Sequence, residues 1–246
     1  MRTVDRVDGN AAESVNPNRA FYTCLRIICF FITGIYLVSC AGYQRRSEPG
    51  YAVASWYGPE FQGKPTSSGA IFDMYAFTCA HKEYPFGTEL KVTNLSNNKN
   101  TRCVVNDRGP FVEGRDLDLS YAAAKAIDLV GPGTCRVRVE YLGRDTSYIK
   151  EVRYLSYNGP FTVQVGSFRD ISNALRLKKG LDLEYHDVYV TEADINGTKF
   201  YRVRIGRFDV REKGYDFAKI LAHEGYNVFI ASYVDSGKNI EEGHTE

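Results

Sequence analysis

One hexapeptide pattern occurs twice in this chain and restricts its fold more than any bulk property. Val163-Gln164-Val165-Gly166-Ser167-Phe168 returns 40 residues later as Val203-Arg204-Ile205-Gly206-Arg207-Phe208, both of the form V-x-[VI]-G-x-F. A period near 40 suits propeller blades, but two copies cannot close a ring. Each copy is followed by a helix-compatible stretch (Ile171 to Leu181; Glu212 to Glu224) and then a strand-like one (Asp187 to Thr191; Asn227 to Ser232). That order is βαβ taken twice, which predicts an antiparallel sheet backed by two helices. Alternation along the lead strands turns Val163, Val165, Val203 and Ile205 toward the helices and leaves Thr162, Gln164, Arg202 and Arg204 on the open face. An RNA-binding sheet of this order needs aromatic side chains stacked outward on its central strands, and those positions hold none.

Upstream, Tyr51 to Leu142 offers short apolar runs separated by Gly, Pro and Asn clusters: Tyr51 to Ala54, Glu89 to Thr93, Thr101 to Val105 and Cys135 to Tyr141. This is the pattern of an all-β barrel. One helix is expected at Ser120 to Leu129, capped by Ser120, carried by its alanines and stopped by Gly131-Pro132-Gly133. Residues 143–158 lack periodicity and read as the linker to the repeat domain, residues 159–234. A polar tail, 235–246, closes the chain.

The N-terminus reads as an address. Ile27 to Val38 is an uncharged, mostly apolar run of 12 residues behind Arg19 and Arg26. A membrane span needs roughly 20 residues, so the layout is that of a secretory signal. Leu37-Val38-Ser39-Cys40 resembles the bacterial lipobox, which implies cleavage of residues 1–39, lipid on Cys40, and a short lipidated tether, 40–50, broken by Pro49 and Gly50. Ala41, rather than Asp, after that Cys implies delivery to the outer membrane.

Charge narrows the partner. Lys and Arg number 31 against 30 Asp and Glu, and loss of residues 1–39 leaves 27 of each, so no basic field draws the chain to nucleic acid. The 18 tyrosines suit β-structure and surfaces that combine stacking with hydrogen bonding, for which carbohydrate is one ligand. Cys79, Cys103 and Cys135 remain in the folded part, allowing at most one internal disulfide in any of three pairings. No Cys-x-x-Cys spacing occurs and His81 is the barrel's one histidine, which argues against a metal site or cofactor.

A series of short motifs carries a resemblance. Ala54-Ser55-Trp56-Tyr57-Gly58, Gly63-Lys64-Pro65-Thr66-Ser67-Ser68-Gly69, Ala80-His81-Lys82, Pro85-Phe86-Gly87-Thr88, Val92-Thr93-Asn94-Leu95, Asn106-Asp107-Arg108-Gly109-Pro110-Phe111 and Leu117-Asp118-Leu119-Ser120 follow one another across residues 51–142. In order and spacing they resemble the six-stranded double-psi β-barrel of the RlpA family of bacterial cell-wall lipoproteins. The repeat domain is similar to a SPOR domain, a ferredoxin-like βαββαβ unit that in its family binds peptidoglycan strands stripped of peptides. The fold class expected is therefore mainly β, with an α+β second domain.

The resemblance implies an endolytic lytic transglycosylase acting on denuded glycan strands, often at division septa. It cleaves the bond between N-acetylmuramic acid and N-acetylglucosamine without water, the sugar's own 6-hydroxyl closing an anhydro ring. By family position, Asp107 and His81 are the catalytic candidates. Trp56, Tyr57, Asn106 and Arg108 are candidate substrate contacts, and Gln164, Arg202 and Arg204 candidate glycan contacts of the SPOR sheet. The family's Glu after the Thr-x-x-Gly motif is absent, because that position is Ala70. A second expectation follows from Ala70: a lipoprotein that binds and organises glycan without cutting it.

Overall fold

The computed structural model describes residues 50–233 and 239–240; the signal, Cys40 and most of the polar tail lie outside the described residues. Six strands close the first barrel in the order β1-β5-β2-β4-β3-β6. They are β1 (Gly50–Tyr57), β2 (Thr78–His81), β3 (Thr88–Asn94), β4 (Asn100–Asp107), β5 (Leu117–Ser120) and β6 (Cys135–Arg144). β1 runs parallel to β5, and β2 parallel to β4, while the remaining neighbours are antiparallel. Inward side chains such as Leu90, Val92, Val105, Leu117, Leu119 and Val137 are fully buried. Burial of each contributes about 1.5–3 kcal/mol.

Helix α1 covers Tyr121–Ala126, three residues short of the predicted end. Ser120 caps it, its hydroxyl oxygen accepting from the Ala123 amide at 3.3 Å. The early stop has a backbone cause: Asp128 takes the left-handed region at φ 55°, and Leu129 folds back to bond Ala124 O at 2.9 Å. Cys79, Cys103 and Cys135 are all free, so none of the three possible disulfides is formed.

The second domain is a sheet in the order β12-β9-β10-β8-β11-β7. Its strands are β7 (Arg153–Tyr154), β8 (Phe161–Phe168), β9 (Val188–Ile195), β10 (Thr198–Phe208), β11 (Phe229–Ser232) and β12 (Asn239–Ile240). The two hexapeptide copies are its central pair, antiparallel, with Val163 opposite Ile205 and Gln164 opposite Arg204. Helices α2 (Ile171–Leu181) and α3 (Arg211–Glu224) pack behind them through Leu177, Leu181, Ala218 and Leu221. The segment read as a linker is structured: it contributes β7, which pairs in parallel with β11.

The opposite face of this sheet is covered, which corrects the expectation of an open one. Thr162 and Arg204 are 0% exposed and Gln164 is 6% exposed. Tyr189 lies over them, its hydroxyl donating to Thr162 Oγ1 at 2.8 Å and its ring edge-on to Tyr233. Arg204 in turn donates to Gln164 Oε1 at 3.5 Å. Arg202 is half-buried in β10, opposite Ser167 and Thr191.

Candidate active site

Asp107 ends β4 and leads into a cis Gly109-Pro110 turn. Its Oδ1 accepts two backbone N–H groups, from Ser67 and from Arg108, each at 2.8 Å. The Ser67 amide comes from a loop that the Thr-x-x-Gly sequence shapes. Thr66 N and Oγ1 both donate to Ala70 O, at 2.8 and 3.0 Å, and Gly69 takes φ 87°, a conformation that favours glycine. Ser68 N then donates to Asn106 O at 3.3 Å, fastening the loop to β4.

The other oxygen, Oδ2, faces Arg176 of α2 at 4.0 Å. That distance is an ion pair without a direct hydrogen bond. The Arg176 guanidinium donates instead to Pro65 O at 3.1 Å and Asn173 Oδ1 at 3.2 Å, over the Phe61 ring. Asp107 is thereby only 2% exposed, closed in by a residue of the second domain.

His81 ends β2, next to Ala80, which is in register with Asp107. Its Nδ1 accepts from the amides of Glu83 and Tyr84, both at 3.0 Å, so the ring proton sits on Nε2. Burial, with the nearby Arg108 charge adding to it, pulls its pKa down to about 4. His81 is therefore neutral at physiological pH, and its position offers an Nε2–H donor. Among the described residues the hydrogen bonds and ion pair of the Asp107 side chain are to Ser67, Arg108 and Arg176, and His81 is not one of these partners.

Tyr57 is buried against Phe72, ring centroids 4.4 Å apart, and its hydroxyl has no partner. Burial first, and the Asp107 charge next, push its pKa well above the usual phenol value, so it remains a proton donor near the carboxylate. Asn106 Oδ1 is likewise buried without a partner. Trp56 points to the other side of β1 by alternation and packs edge-on to Tyr121, so the two aromatics form no common wall. Arg108 is drawn into the contact with the second domain: Nε donates to Tyr226 OH at 2.6 Å, Nη1 to Tyr84 O at 3.0 Å, and the guanidinium lies 4.0 Å from the Phe86 ring centre.

The second buried acid, Asp118, lies across Ala80 from Asp107 in register. It is committed elsewhere, held by both Arg115 contacts, at 2.7 and 2.8 Å, and by the Ser55 hydroxyl. Glu60 is exposed in the turn Pro59–Phe61. Arg176, Tyr226 and Asn227, which donates to Ser68 O at 3.2 Å, carry no local sequence signal, because their contacts exist only once the second domain docks on the barrel.

A closed barrel with parallel β1/β5 and β2/β4 pairs and a buried acid at a strand end, joined to a βαββαβ sheet, defines a double-psi-type barrel followed by a SPOR-like module. Comparison with known families agrees: residues 51–139 match the family described as "Lytic transglycolase", and residues 157–236 the SPOR domain. The chain belongs to the RlpA family. It is 38% identical over 189 residues to the endolytic peptidoglycan transglycosylase RlpA of Helicobacter pylori strain J99, covering 68% of this chain and 59% of that one. The Vibrio cholerae protein of the same name is 38% identical over 178 residues, covering 68% and 66%. Against Pseudomonas aeruginosa strain UCBPP-PA14 the identity is 49% over 88 residues, covering 36% and 26%. The chain thus spans about three-fifths of the length of the Helicobacter relative.

Proposed function

We propose that this chain is an endolytic lytic transglycosylase that cleaves muramic acid–glucosamine bonds of peptide-stripped peptidoglycan, held on denuded strands by its SPOR domain. The observation that carries this reading is the division of labour within Asp107. Two backbone amides hold Oδ1, and Oδ2 faces only a guanidinium beyond hydrogen-bond distance. One oxygen is fixed and the other is available for proton transfer once Arg176 swings aside. In the first half-reaction the Asp107 carboxyl gives its proton to the glycosidic oxygen as the bond to C1 breaks. In the second, the carboxylate takes the proton of the 6-hydroxyl as that oxygen bonds to C1, closing the anhydro ring. One carboxyl group serves both steps, and no water is consumed. The neutral His81 Nε2–H and the Tyr57 hydroxyl are donors for developing charge on sugar oxygens.

Ala70 favours a second reading, a glycan-binding protein that does not cut. One general acid or base is worth about 10²–10⁴ in rate. Digestion of peptide-free peptidoglycan, with mass spectrometry for anhydro-ended sugars, separates the two. Anhydro products from the parent that vanish in Asp107→Asn support the one-carboxylate enzyme. A silent parent with products from Ala70→Glu supports glycan binding alone.

Attachment to the outer membrane through lipid on Cys40 is part of the proposal, supported by the Leu37-Val38-Ser39-Cys40 sequence. Labelled palmitate should enter the parent chain and not Cys40→Ser.

A further inference from the structure

Where the two domains meet, a cavity of about 360 Å³ is lined by Ser68 and Ala70 of the barrel loop, Ser147, Tyr148 and Lys150 of the joining segment, and Asn227 of the second domain. Lys150 is its one charged wall residue. The ammonium lies 5.8 Å from the Tyr148 ring centre, and among the described residues it forms no ion pair. Asp145 feels its charge, but that carboxylate is turned onto the Ser147 amide at 2.9 Å. The rest of the lining is uncharged: the Ser68, Ser147 and Tyr148 side chains, the Asn227 amide, and the small residues Gly69 and Ala70. A partly buried cation among neutral hydrogen-bonding groups is a setting for a carboxylate.

The cavity is also in the right place. Ser68 follows Ser67, whose amide donates to Asp107 Oδ1 at 2.8 Å, so the cavity wall is the next residue along the loop from the group that holds the carboxylate. An acid at position 70 would put a negative charge on this wall and oppose Lys150, and alanine leaves the cation unopposed.

We propose that this interdomain cavity is a subsite for the lactyl carboxylate of a peptide-free muramic acid residue, with Lys150 as the group that reads it. The inference rests on the glycan reading above and deepens it. On a strand that still carries peptides the same carbon is an amide, uncharged and bulkier, which the ammonium does not favour and the cavity does not hold. Preference for denuded strands is then exerted beside Asp107, in addition to any exerted by the SPOR sheet.

The test uses the full-length chain and two probes: a peptide-free glycan oligomer with free lactyl carboxylates, and the same oligomer with those carboxylates converted to methylamides. The parent should bind the carboxylate form about tenfold more tightly, the effect of one charge-assisted hydrogen bond. Lys150→Gln should bind both forms alike, and Lys150→Arg should restore the preference. A Lys150→Gln chain with an undiminished preference, at an unchanged melting temperature, overturns the assignment. Equal binding of both forms by the parent also overturns it and leaves the glycan reading standing. Failure of the parent to bind either form removes both.

Discussion

The guanidinium of Arg176, on the first helix of the SPOR domain, stands 4.0 Å from Asp107 Oδ2 at the end of a barrel strand. One domain thereby covers the Asp107 carboxyl of the other. Asp107 is buried but Arg176 is partly exposed, and without a direct hydrogen bond the pair is worth about 1 kcal/mol. Arg176→Ala should raise carbodiimide labelling of Asp107, read by peptide mass spectrometry, by up to about fivefold. Unchanged labelling would mean that the Thr66–Ala70 loop, and not Arg176, closes the site.

The domains are joined more firmly by Arg108 and Tyr226, whose 2.6 Å hydrogen bond is buried on both sides. Tyr226→Phe removes the acceptor and leaves a buried, charged Nε–H unsatisfied. The expected loss is about 1.5–3 kcal/mol, measured as a shift of the urea midpoint. The interface holds further bonds, including Arg144 to His223 O at 2.6 Å and Phe86 N to Glu224 O at 2.9 Å. Unfolding should accordingly remain a single transition.

Much of this architecture was legible in the sequence because it is local. The hexapeptide repeat marked the central strand pair, and Gly and Pro punctuation marked the barrel. The Thr66–Gly69 and Asn106–Phe111 motifs marked the loop and strand end that meet at Asp107. The alternation of β8 and β10 separated two faces, but it carried no information on what lies over each. Tyr189 over Thr162 belongs to a different strand, so alternation alone does not show that Gln164 and Arg204 are buried. The turn at Asn196 and Gly197, both at positive φ (52° and 77°), joins β9 to β10 and was a readable hairpin signal that the repeat overshadowed. Lys150, Arg176 and Asn227 were illegible for another reason: their roles arise from docking of two domains, and no periodicity encodes that.

His81 gives the fold a pH dependence with a definite sign. Its pKa falls from 6.5 to about 4 on folding. Between those values the unfolded chain takes up a proton that the folded chain refuses. The contribution is therefore fully present above pH 6.5 and is lost as pH falls toward about 4, amounting to about 3 kcal/mol at the bottom of that window. In His81→Asn the side-chain oxygen can still accept from the Glu83 and Tyr84 amides, and nothing titrates. Urea midpoints at pH 7.5 and 4.5 should differ less in the variant than in the parent.

Gly225 tests whether the two domains unfold together. It ends α3 at φ 104°, and a Cβ there would stand 2.9 Å from Phe86 Cβ of the barrel and 3.2 Å from Tyr148 O. Gly225→Ala should cost about 2–4 kcal/mol, combining left-handed strain with overpacking at the interface. Gly197→Ala is the control: φ is 77°, but nothing lies within 4 Å of the added carbon, so only the backbone cost of about 1–2 kcal/mol applies. The chain's one tryptophan, Trp56, sits in the barrel and reports on that domain alone. If the domains form one cooperative unit, Trp56 fluorescence should register the full loss caused by Gly225→Ala, although the helix it ends belongs to the other domain. A Trp56 transition that does not move while the helical circular dichroism signal melts earlier would show that the barrel stands independently of the domain covering Asp107.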